Sequence, residues 1–277
     1  LVLTNANGCS DSSSVAVTVF SLPVAQIDST GPLSFCSGDS VILRSANPGS
    51  YQWFRDGVAL STNSSLTVST SGTYSLVLTN ANGCSDSSSV QLSVFSLPQA
   101  QIASSGPLSF CSGDSVILRS ANGGSYQWFR NGVSLSSDSS ITVSTSGTYS
   151  LLLTNANGCS DSSSVAVSVF NLPVAQIDST GPLSFCRGDS VILRSANTGS
   201  YQWFRDGVAV STDSFITVST SGTYSLLLTN ANGCSDSSSV QLSVFGLPQA
   251  QIDSTGPLSF CSGDSVILRS ANSGSYQ

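Results

Sequence analysis

Apolar side chains alternate with Ser, Thr and Gln in short runs. Residues 73–79 read Thr-Tyr-Ser-Leu-Val-Leu-Thr, and residues 89–95 read Ser-Val-Gln-Leu-Ser-Val-Phe. A period of two puts one side of a strand in a core and the other in water. Strands are expected over 24–27, 33–35, 40–46, 51–55, 58–60, 65–68, 73–79 and 89–95. Between them, Gly31-Pro32, Asn47-Pro48-Gly49, Asp56-Gly57 and Ser71-Gly72 carry turn chemistry, with Asp-Gly the strongest hairpin signal. No segment has a 3.6-residue apolar period, so no helix longer than a turn is expected. About seven short strands, with turns roughly every 8–12 residues, predict an all-β sandwich.

This pattern recurs. Trp53, Trp128 and Trp203 are 75 residues apart, as are Tyr74, Tyr149 and Tyr224, and no insertion breaks the register. A fixed period of this kind means a tandem array. The chain is expected to divide into 1–22, the C-terminal part of a truncated repeat, three repeats at 23–97, 98–172 and 173–247, and 248–277, the N-terminal part of a truncated repeat. Both ends cut through a repeat, which predicts a longer parent protein carrying its targeting signals elsewhere. A second period lies on the first. Ala16 with Val24 alternates with Gln91 with Gln99 in successive copies, so the unit of duplication is a pair of repeats. Pro23, Pro98, Pro173 and Pro248 mark the joints. Short joints containing proline predict a stiff array, on the order of 130–150 Å long for four repeats.

Composition narrows the function. His, Lys, Glu and Met are absent; the 8 basic residues are all Arg and the 15 acidic ones all Asp, for a net charge of −7. That balance does not favour nucleic acid or anionic membranes. With no His, Lys or Glu, the usual general bases are missing and the serines have no partner to activate them. An enzyme is not expected, nor a cofactor.

Trp53, Tyr74, Trp128, Tyr149, Trp203 and Tyr224 are read as core, together with Leu43 and Leu76. In an immunoglobulin sandwich a tryptophan on the third strand packs at the centre and a tyrosine corner opens the sixth. Leu43 and Leu76 occupy the positions that hold the disulfide there. The run Phe35-Cys36-x-Gly38-Asp39-x-Val41-x-Leu43, then Tyr51-x-Trp53, Ser71-Gly72-Thr73-Tyr74 and Asn82-Gly83-Cys84, resembles the Ig-like and PKD-like repeats of giant surface adhesins. Those belong to Bacteroidota that export by type IX secretion. The resemblance spans essentially the whole chain. It implies a tandem array of small seven-stranded Ig-like sandwiches in an extracellular, cell-surface-attached protein. Asp28-Ser29-Thr30 and Asp39-Ser40-Val41 are similar to the O-glycosylation triplets of that group, although a simple turn before a strand explains them too.

The cysteines come two per repeat: Cys9, then Cys36 and Cys84, Cys111 and Cys159, Cys186 and Cys234, then Cys261. Without CxxC spacing or His they do not read as zinc sites. They read as disulfides of an oxidising compartment, all eight oxidised. Two pairings are open. Within a repeat, Cys36–Cys84 and Cys111–Cys159 are the default. However, Cys36 precedes the second strand and Cys84 follows the sixth, at opposite ends of a sandwich roughly 23 Å apart. A disulfide needs Cα atoms within about 7 Å. Pairing across the joint, Cys36–Cys159 and Cys111–Cys234, is slightly favoured.

Asp28, Asp39 and Asp86 are the candidates for a calcium site of the kind that stiffens adhesin joints, but no DxDxD-type cluster occurs, and turn roles account for them. The leading expectation is a structural shaft extending a distal adhesive tip, with several copies packed side by side. The rivals are a repeated glycan- or protein-binding module and a spacer for a secreted enzyme. Free variation at Pro48, Gly123, Thr198 and Ser273 suits a spacer better than a copied site.

Overall fold

The structure, a computed structural model, describes residues 1–275. The sequence boundary at Gln277 lies outside them. Every element among the described residues is a strand. β1 (Val2–Thr4) and β2 (Ser10–Ser12) form an antiparallel pair.

The first complete repeat contains β3 (Ile27–Ser29), β4 (Ser34–Cys36), β5 (Val41–Ser45), β6 (Ser50–Arg55), β7 (Val58–Ser61), β8 (Ser65–Val68), β9 (Gly72–Thr79) and β10 (Ser85–Phe95). They form a three-stranded sheet, β3-β5-β8, and a five-stranded sheet, β4-β10-β9-β6-β7. The expected first strand is shifted: Val24, Ala25 and Gln26 lie before β3. Their backbone is held by side chains instead, with Asn47 Nδ2 donating to Val24 O at 2.9 Å and Ala25 N donating to Asp86 Oδ2 at 2.8 Å. Gly31-Pro32 then transfers the chain between sheets. β3 pairs with β5, and β4 runs parallel to β10. A proline has no N–H to give a ladder, so it suits this crossing. The last strand starts four residues earlier than expected, at Ser85, because the β9–β10 hairpin keeps its pairing through a polar stretch, Ser85 to Ser88.

Alternation on β9 sets the core. Tyr74, Leu76 and Leu78 are buried, and their neighbours are not. Val41, Leu43, Trp53, Val68, Tyr74, Leu76 and Leu92 form one cluster between the sheets, with Trp53, Leu43 and Leu76 fully buried. The indole of Trp53 donates to Asn63 O at 2.9 Å, and the hydroxyl of Tyr74 to Thr70 O at 2.9 Å. Both polar tips are thereby satisfied, as burial requires. The β6–β7 hairpin turns on Asp56 (φ 50°) and Gly57 (φ 84°), the two left-handed residues of a type I′ turn.

The second repeat has the same elements: β11 (Ile102–Ser104), β12 (Ser109–Cys111), β13 (Val116–Ser120), β14 (Ser125–Arg130), β15 (Val133–Ser136), β16 (Ser140–Val143), β17 (Gly147–Thr154) and β18 (Ser160–Phe170). So has the third: β19 (Ile177–Ser179), β20 (Ser184–Cys186), β21 (Val191–Ser195), β22 (Ser200–Arg205), β23 (Val208–Ser211), β24 (Phe215–Val218), β25 (Gly222–Thr229) and β26 (Ser235–Phe245). β27 (Ile252–Ser254) and β28 (Leu268–Ser270) pair beyond it. The same two sheets form in all three repeats. Trp128, Tyr149, Trp203 and Tyr224 are buried like their first-repeat counterparts. The fold is thus all-β, in tandem Ig-like sandwiches.

By its contacts the chain divides into two compact units. One comprises Leu1–Gly106, Ile117–Val143 and Gly147–Ala166; the other comprises Pro107–Val116, Ser144–Ser146 and Val167–Gln277.

Candidate functional site

The joints between repeats are where side chains converge. In the first unit, the loop between β17 and β18 is Asn155-Ala156-Asn157-Gly158-Cys159. Asn155 folds it: its Oδ1 accepts the amides of Asn157 and Cys159, each at 3.0 Å. Gly158 closes the turn at φ 81°, a value that favours glycine. The Nδ2 of Asn155 is left pointing outward and donates to Ser96 O at 2.9 Å, 59 residues earlier. Two residues after Cys159, Asp161 Oδ2 accepts the amide of Ala100 at 2.8 Å. The incoming chain from Ser96 to Ala100, with Pro98 at its centre, is therefore clasped at one end by this loop and at the other by the start of β18 in the repeat it enters.

The cysteine in that loop completes the joint. Cys36 and Cys159 are disulfide-bonded, with S–S 2.01 Å and Cα–Cα 5.6 Å, across 123 residues. Cys36 ends β4, where it stands opposite Phe95, the last residue of β10. Ser37 N donates to Phe95 O at 2.8 Å. The bond thus leaves the first repeat beside the point where the backbone leaves it, and it enters the second beside the clasp. Cys159 is fully buried.

The second unit builds the same joint independently. Cys111 is bonded to Cys234, with Cα–Cα 5.6 Å. Asn230 Nδ2 donates to Asn171 O at 2.8 Å, and Ala175 N donates to Asp236 Oδ2 at 2.8 Å. Cys111 stands opposite Phe170. A third clasp, with Asn80 on Ser21 O and Asp86 on Ala25 N, precedes the first complete repeat.

The expectation that all eight cysteines are oxidised does not hold within this chain. Cys9, Cys84, Cys186 and Cys261 are free. The 123-residue spacing of the two bonds is the reason: Cys9 and Cys84, placed like Cys159, would need a partner 123 residues earlier, and Cys186 and Cys261, placed like Cys36, would need one 123 residues later, and none of these positions falls within residues 1–277. Cys36 bonds to Cys159 and not within its own repeat: Cys84, the intra-repeat alternative, carries no bond.

The aspartates have separate tasks. Asp86 holds Ala25 N. Asp28 lies opposite Arg44 on the exposed side of the small sheet and accepts from Gln26 Nε2 at 3.3 Å. Asp39 sits in the turn after β4, its amide donating to Cys36 O at 3.1 Å. They are not brought together, and among the described residues no group of three His, Cys, Asp or Glu could hold a metal ion. In the Asp28 triplet, Ser29 Oγ donates to Gly31 O and Thr30 Oγ1 accepts from Ile42 N, so both hydroxyls serve the turn.

Sequence reasoning did not pick out Asn80, Asn155 and Asn230 or Asp161 and Asp236 as joint residues. Their signal was present in the unvarying Asn-Ala-Asn-Gly-Cys-Ser-Asp stretch. A shallow open cleft of about 430 Å³ on the third repeat is lined by Phe215, Asp213, Arg205 and Tyr224. Phe215 stands where the other repeats have Ser65 and Ser140, so this part of the lining is not copied.

No family model and no curated protein matches the chain. Solved structures do resemble it. An ICAM-5 D1–D4 ectodomain fragment aligns with TM-score 0.43 and 13% identity over 79% of this chain and 76% of that one. A titin I-band fragment, I67–I69, aligns with TM-score 0.42 and 17% identity over 76% and 95%. A 1.5-MDa bacterial ice-binding adhesin structure gives 0.29 and 14% over 81% and 99%. These are likenesses in fold alone; the Ig-like assignment rests on strand order, register and core.

Proposed function

We propose that this chain is a stretch of extracellular shaft, a non-catalytic array that sets distance and stiffness for a binding element carried elsewhere. The observation that supports it most is the joint. Each of the two stapled joints has a proline-containing linker, a two-ended side-chain clasp and a disulfide, all at fixed phase. A chain built only to display binding modules has no need to fasten every module to the next. Disulfides persist in oxidising compartments, which supports a place at the cell surface and agrees with the resemblance to Bacteroidota adhesin repeats. The reading requires an extended particle. Small-angle scattering of the 277-residue chain should give a maximum dimension on the order of 130–150 Å, from roughly 35 Å per sandwich, and a compact particle would contradict it.

We also propose that copies associate side by side. The outer strand of each large sheet supports this. It is uncharged and keeps apolar side chains in water, with Val58, Val133 and Val208 each 67–69% exposed. An unblunted edge of this kind is a template for pairing, and a regular repeat multiplies one weak contact along the length.

A further inference from the structure

The two disulfides interleave along the chain: Cys36–Cys159 opens first and closes inside Cys111–Cys234. Every backbone bond from residue 36 to residue 234 is therefore bypassed by at least one disulfide, and those between 111 and 159 by both. The two routes leave a repeat together. Cys36 ends β4 and Phe95 ends β10, paired in parallel register, and the Ser37–Phe95 hydrogen bond ties them. The first continues as the disulfide and the second as the backbone. Cys111, Phe170 and the bond from Ser112 N to Phe170 O repeat the arrangement.

We propose that the disulfides are a second covalent track that carries tension past the sandwiches, so that the array keeps its continuity and nearly its length when a sandwich is pulled open or its backbone is cut. A chain under tension becomes taut along its shortest covalent route, and residues inside a closed loop lengthen nothing. From Cys36 to Cys186 the backbone route is about 150 residues, or about 520 Å at about 3.5 Å each, whereas the route through Cys159 is about 27 residues, or about 100 Å.

The track also gives a physical place to the alternation of repeat types. The stretches from Cys9 to Cys36 and from Cys159 to Cys186 both hold the Ala-Val form with Pro-Val-Ala-Gln. Those from Cys84 to Cys111 and from Cys234 to Cys261 both hold the Gln-Leu form with Pro-Gln-Ala-Gln. The bond from Cys36 to Cys159 joins two stretches of the first type, and the bond from Cys111 to Cys234 joins two of the second. Each disulfide thus joins stretches of one sequence type.

This inference deepens the shaft reading and rests on it for its purpose, but its test does not depend on shape. The chain, with Cys9, Cys84, Cys186 and Cys261 blocked by alkylation, is stretched by handles at its two ends in single-molecule force spectroscopy. The shortest oxidised route runs to Cys36, across to Cys159, back to Cys111, across to Cys234 and on, about 126 residues, so full unfolding should end near about 450 Å, against about 970 Å with dithiothreitol. The pair C36S and C159S should give about 540 Å by the same arithmetic. Separately, a chain carrying a specific protease site between Leu97 and Pro98 should, once cut, stay one species unreduced and become two when reduced. An oxidised chain that stretches to the reduced length, or a cut chain that falls apart unreduced, overturns the proposal. Loss of the extended particle in scattering, with these lengths intact, would overturn the shaft reading alone.

Discussion

Asp161 accepts the amide hydrogen of Ala100 at 2.8 Å, reaching back 61 residues to the chain that has just crossed the joint. The contact is partly buried and involves a charged acceptor, so it is worth more than an ordinary surface hydrogen bond. Asp161→Ala should cost about 1–3 kcal/mol and speed hydrogen exchange at the Ala100 amide. Asp161→Asn keeps an acceptor oxygen and should restore part of both. Unchanged exchange at Ala100 in D161A would remove the clasp from the account.

Trp203 is fully buried between the sheets of the third repeat, and its indole N–H donates to Asp213 O at 3.0 Å. Trp203→Ala leaves a large cavity and an unpaired carbonyl, at a cost of about 3–5 kcal/mol. In a sandwich this small that is most of the stability available. Calorimetry should show the third repeat melting well below the others, and limited proteolysis should cut first within residues 173–247.

The apolar outer strand gives a test of lateral association. Leu60, Leu135 and Val210 are 48–50% exposed on β7, β15 and β23. Lysine at all three should leave each sandwich folded, since substitutions at such exposed positions usually cost within about 0.5 kcal/mol. Sedimentation at increasing concentration should show the parent chain forming multimers and the triple variant remaining monomeric. A monomeric parent chain at all concentrations would dismiss the side-by-side proposal.

The sandwich core was legible because burial leaves a period-two trace. Tyr74, Leu76 and Leu78 alternate with polar neighbours, and Trp53 and Trp203 mark the centres. Two boundaries were misread for one reason, that hydrogen bonding went where no apolar pattern pointed. Val24 to Gln26 look like a strand but are held by Asn47 and Asp86, and Ser85 to Ser88 look like a loop but pair with β9. The clasp was hidden in the same way. Asn155 and Asp161 are ordinary turn residues by type, and their partners lie 59 and 61 residues away, which no local pattern records.

Successive repeats are fastened by disulfides across their joints. Peptide mapping of the unreduced protein, digested under acidic conditions with free thiols blocked, tests it most directly. One peptide pair should contain Cys36 with Cys159 and another Cys111 with Cys234, with label on Cys9, Cys84, Cys186 and Cys261. A Cys36–Cys84 or Cys111–Cys159 pair would mean that each repeat closes on itself, and would contradict the account.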